Sequence, residues 1–123
     1  MELLNTSRCP EVSGDFILEE WQNHPGDIVI FDGSLTVKPN AAFLSTVTFI
    51  DKHKPVVLEN HSFIYHLLMM NGGELFFKGD NIMIDQLTTE DNLVVHVPKS
   101  CDNWRKMVNT VSGVRITVLQ DID

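Results

Sequence analysis

Residues 27–37 read Asp-Ile-Val-Ile-Phe-Asp-Gly-Ser-Leu-Thr-Val. Two short β-branched runs, Ile28–Phe31 and Leu35–Val37, flank Asp32-Gly33. Asp-Gly between such runs is the strongest short hairpin signal, because both residues accept the positive φ of a tight turn. The stretch predicts an antiparallel pair. The pattern recurs along the chain. Glu74–Phe77 and Ile82–Ile84 flank Lys78-Gly79-Asp80-Asn81, which reads as a second hairpin. Thr46–Ile50 alternates polar and apolar, so one face looks inward. Val56–Leu58, Leu93–Val97 and Val111–Leu119 are further strand candidates, the last with Val114, Ile116 and Val118 on one face. Phe63–Met70 is apolar almost throughout. At strand period Phe63, Tyr65, Leu67 and Met69 share one face, and Ile64, His66, Leu68 and Met70 the other. A short helix is expected over Asn103–Val108, with Asp102 as its N-cap.

Strands about ten residues apart, with turn residues between them, predict an all-β domain. The expected architecture is an antiparallel sandwich or barrel of about eight strands spanning residues 1–123, with residues 1–14 as an irregular arm. No internal repeat stands out. From Asn71 to Leu119 the chain resembles the cupin barrels: a glycine turn, Glu74-Leu75-Phe76, an acidic loop, then Asn92–Val97 and Pro98. That resemblance implies a β-barrel-like fold. It implies no metal, since the family's His-x-His is missing and no histidine follows Pro98.

Length and composition narrow the class. At 123 residues the chain is one domain's worth. Hydrophobic residues at 43% and charged residues at 21% describe a globular chain rather than a disordered one. No apolar run approaches the roughly 20 residues of a membrane-crossing helix. The N-terminus reads as neither a secretory signal nor a transit peptide, so cytoplasmic residence is expected. Cys9 and Cys101 are isolated, as free thiols usually are.

No motif specifies chemistry. Asp51-x-His53 and Glu59-x-His61 place ligand types on shared strand faces, but charged loop tips carry the same residues and the spacing matches no ligand signature. Cys101 follows His96 by five residues, with Lys99, Arg105 and Lys106 nearby. A nucleophile needs a base in hydrogen-bond reach, which local spacing does not supply. Glu19-Glu20 and Glu90-Asp91 would face opposite sides of a strand, and Gly72-Gly73 lacks the lysine and helix of a phosphate loop. No catalytic residue, metal ligand or cofactor is therefore expected.

Charge is the informative feature. The net charge is −8, which repels nucleic acid. Residues 1–37 hold seven acids and one base, a net −6; the other 86 residues contribute −2. Trp21 lies within that acidic third. An acidic surface with an aromatic anchor suits a basic protein partner, through steering and a buried ring. The expected partner-binding residues are Asp15, Glu19, Glu20, Trp21, Asp27 and Asp32. The function so implied is non-catalytic: an immunity protein or inhibitor that masks a toxin nuclease or another nucleic-acid-binding enzyme. The alternative is a small-molecule site inside the barrel, lined by Phe63, Tyr65, His66, Met69, Met70, Phe76 and Phe77. Unpaired strand edges leave association by strand addition open.

Overall fold

Asp32-Gly33 does not close a hairpin. The computed structural model describes residues 10–113 and 115–123. In it, the strand before Asp32-Gly33 and the strand after it lie in different sheets, and all pairings are parallel. The first sheet holds β1 (Glu11–Ser13), β3 (Asn23–His24), β4 (Ile28–Asp32), β6 (Ala42–Phe49), β8 (Phe63–Met69), β10 (Met83–Thr89) and β12 (Val108–Gly113). The second holds β2 (Phe16–Leu18), β5 (Leu35–Val37), β7 (Pro55–Glu59), β9 (Gly73–Lys78), β11 (Leu93–Pro98) and β13 (Ile116–Ile122). The chain winds from one sheet to the other and back, making a parallel β-solenoid of about six turns.

The antiparallel sandwich or barrel is thus replaced, and the cupin-like order with it. The strands were visible; their partners were not. Each strand pairs with one about twenty residues on, as Val47 with Leu67 and Leu67 with Leu87. The ten-residue strand spacing is half of that period. An alternating strand usually belongs to an antiparallel sheet, because parallel sheets are normally covered on both faces. A solenoid is the exception: its parallel sheets keep one face in solvent. The turn glycines serve corners between sheets. Gly33 has φ +130°, and a β-carbon there would overlap the stacked Gly14 carbonyl of the neighbouring turn.

The core is a set of ladders running through the turns. Ile28, Val47, Leu67, Leu87 and Val111 form one; Leu35, Val56, Leu75, Val95 and Val118 form another in the second sheet. The inner members are fully buried. In β8 the strict alternation fails. Ile64, Leu67 and Met69 point inward, while Tyr65 and His66 both face out. The other long strands of this sheet break at the same level, as Ile84 and Leu87 enclose Asp85 and Gln86. His66 occupies the break, its ring nitrogens 3.4 Å from Thr46 Oγ1 and 3.1 Å from Thr88 Oγ1 in the turns on either side.

The helix expected over Asn103–Val108 is a single 3-10 turn, Trp104–Met107. Its cap is Asn103, whose Oδ1 accepts from Arg105 N at 3.1 Å, and not Asp102. Of the expected N-terminal arm, Glu11–Ser13 form β1; residues 1–9, with Cys9, lie outside the described residues, as does Val114. Among the described residues no helix is long and apolar enough to cross a membrane.

Candidate functional site

All six expected partner-binding residues fall in the first two turns, at one end of the stack. They do not form one patch. Asp15 and Asp32 flank the corner between β1 and β2 and between β4 and β5. Glu19, Glu20 and Trp21 form the opposite corner, between β2 and β3. Asp27 precedes β4 on the first sheet.

The three aspartates are tied to the fold. Asp15 Oδ1 accepts from Ser34 N at 2.9 Å, and Asp32 Oδ2 accepts from Ser13 Oγ at 3.4 Å. Asp27 Oδ1 accepts from Ser45 Oγ and, at 3.0 Å, from Thr46 N. It fills the bulge that shifts β6 against β8. Bonds from Ser34 hold the Asp15 carboxyl below its ordinary range, and bonds from Ser45 and then Thr46 do the same for Asp27. Both carboxylates stay charged while serving as local braces.

Trp21 stands apart. It is 73% exposed, the most exposed large hydrophobic side chain among the described residues. Its backbone is left-handed, with φ +67°. The same conformation recurs once per turn at Asn40, His61 and Asn81, with φ between 58° and 63°. These positions stack: Trp21 N donates to Pro39 O, Asn40 N to Asn60 O and His61 N to Asp80 O. Asn and His are the non-glycine residues that tolerate this region best; a bulky residue there is an outlier. The backbone therefore does not select tryptophan at position 21. Glu19 and Glu20, both exposed, flank it.

The remaining sequence expectations resolve differently. The barrel-interior site goes with the barrel. Of its expected lining, Met69 and Phe77 are packed at 0% exposure, while Tyr65, His66, Met70 and Phe76 sit outside the core ladders. Asp51 binds Gly33 N and His53 N through its two oxygens, at 3.2 and 3.0 Å, and Glu59 lies 3.8 Å from Lys38 Nζ. Among the described residues no group of three or more His, Cys, Asp or Glu is placed to hold a metal ion.

His96 faces outward on the second sheet but is only 8% exposed. Its ring stacks on Phe76, with centroids 4.1 Å apart. Nε2 lies 2.9 Å from Glu74 Oε2, and Nδ1 2.9 Å from Asp121 Oδ2. Both nitrogens meet carboxylates, so neither is poised as a base for Cys101. Burial opposes the charged ring, but the Glu74 and Asp121 hydrogen bonds outweigh it and raise its pKa above the ordinary value. Sequence reasoning missed this trio, because its members come together only through the winding period.

A raised folded-state pKa means protonated His96 stabilises the fold. That contribution is fully present below the unfolded value of about 6.5 and is lost as pH rises through the folded one. Denaturant midpoints are expected to fall across that window. In the His96→Gln variant, which has no titrating ring, that fall is expected to be absent.

The surface clefts lie at corners. One, about 530 Å³, opens between Lys78-Gly79-Asp80 and the Pro98–Ser100 segment, with Asp123 at its rim. There the last winding step lengthens to admit the 3-10 turn. Its lining mixes ammonium and carboxylate groups without selecting one ligand. Searches with this chain against protein-family models, curated protein sequences and solved structures give no match.

Proposed function

We propose that this chain is a non-catalytic binding module of the cytoplasm, whose acidic end docks a basic protein partner. Trp21 carries the reading. It is a large apolar ring held out in solvent, at a backbone position that disfavours it and that other turns fill with Asn or His. Residues in costly conformations concentrate at functional sites, and exposed tryptophans are frequent interface anchors. The charge distribution supports the same reading, since residues 1–37 carry −6 of the net −8. Glu19 and Glu20 would steer a cationic surface onto the ring. Blocking a nuclease or another nucleic-acid-binding enzyme, as an immunity protein or inhibitor does, is the occupation such a surface suits.

The test is a paired capture from native cell extract, with the wild-type chain and the Trp21→Asn variant as baits. A basic protein held by the wild type at low salt, released by high salt and absent from the variant is the expected result. Identical proteins on both baits, or retention indifferent to salt, would overturn the reading.

A further inference from the structure

The opposite end of the stack is built differently. The outer edges of β12 and β13 pair with no strand among the described residues. Open edges are ordinarily guarded by lysine, proline or extreme shortness. Here they run for six and seven residues, Val-Asn-Thr-Val-Ser-Gly and Ile-Thr-Val-Leu-Gln-Asp-Ile. Asp121 is their one charged residue, and His96 holds its carboxylate. The core is also less covered here. Val111, Ile116 and Val118 are partly buried, whereas their ladder neighbours Leu87, Leu93 and Val95 are fully buried. Leu119 is 41% exposed.

We propose that a second copy of this chain docks on this end, edge to edge. A two-fold axis perpendicular to both sheets sets β12 antiparallel to its copy and β13 antiparallel to its copy. The same rotation lays the half-covered apolar residues of one core on those of the other, as an isologous contact requires. Pairing centred on Leu119 places Arg115 opposite Asp123 of the copy and Ile116 opposite Ile122 of the copy. Head-to-tail stacking is disfavoured by length, since β1 and β2 have three residues each. Contact between two acidic ends is disfavoured by charge, with six acids and no Lys or Arg on residues 10–37 of each copy. The product is a rod of about twelve turns, near 58 Å long at about 4.8 Å per turn. It carries a Trp21 corner at each pole.

Light scattering coupled to size exclusion tests this. The wild-type chain is expected at twice its 13.9 kDa mass. Thr110→Lys with Leu119→Lys, both at exposed positions, sets like charges across the axis and is expected at the single mass with unchanged circular dichroism. Ser112→Lys with Thr117→Lys repeats the test at other exposed edge positions, should the first pair misfold. Trp21→Asn is expected to leave the double mass intact, which separates this proposal from the partner reading. A wild type at the single mass across a wide concentration range would overturn it. So would growth into longer assemblies, or a folded lysine variant that keeps the double mass.

Discussion

Replacing Trp21 by Asn is expected to weaken partner binding severely without weakening the fold. The two halves of that result have separate causes. Position 21 is left-handed, and Asn40 and Asn81 hold the equivalent place in other turns. Asparagine fits that backbone better than tryptophan, so stability is expected to hold or rise by up to about 1 kcal/mol. The ring removed is 73% exposed, so little folding energy goes with it. Binding is another matter. A central tryptophan anchor is worth about 2 kcal/mol or more, and the affinity is expected to fall roughly 30-fold or further. Thermal melts and titration against the captured partner measure the two halves. Lost stability with unchanged affinity would make Trp21 a structural residue.

The second large effect lies in β8. Leu67→Ala is expected to cost about 2–5 kcal/mol, the range for truncating a fully buried leucine. That is a large share of the roughly 5–15 kcal/mol that holds a domain together. Leu67 stacks between Val47 and Leu87, so three turns lose contacts at once. Tyr65→Ala, two residues away, is expected to stay within about 1 kcal/mol, because Tyr65 faces out at 43% exposure. Simple strand alternation puts these residues on one face and predicts similar losses. Urea unfolding of the two variants separates the readings.

That pair of residues marks how far the sequence is legible. Strands such as Thr46–Phe49 and Leu93–Val97 announce themselves through β-branched alternation, and the structure has them. Their partners are silent. Asp32-Gly33 says that the chain turns, but the same glycine conformation serves a hairpin or a sheet-to-sheet corner. The repeat is hidden because the ladders preserve apolarity and not identity: Ile28, Val47, Leu67, Leu87 and Val111 share one column. The left-handed column disguises its period by holding Trp21, Asn40, His61 and Asn81. Acid excess at the N-terminal end is legible, because charge is a property of composition. The division of those acids is not. Asp15 and Asp27 take their donors from the following turn and Asp32 from the preceding one, and only Glu19 and Glu20 accompany Trp21. The His96 trio was out of reach for the same reason, since Glu74 and Asp121 lie 22 and 25 residues away.

The core ladders, the left-handed column and the open C-terminal edges all depend on parallel winding at about twenty residues per turn. Nuclear Overhauser contacts in the isotope-labelled chain test it most directly. The solenoid predicts contacts stepping from Val47 to Leu67 to Leu87 in one sheet, and from Val56 to Leu75 to Val95 in the other. Close Hα–Hα contacts between Ile28–Phe31 and Leu35–Val37, the mark of an antiparallel pair across Asp32-Gly33, would contradict it.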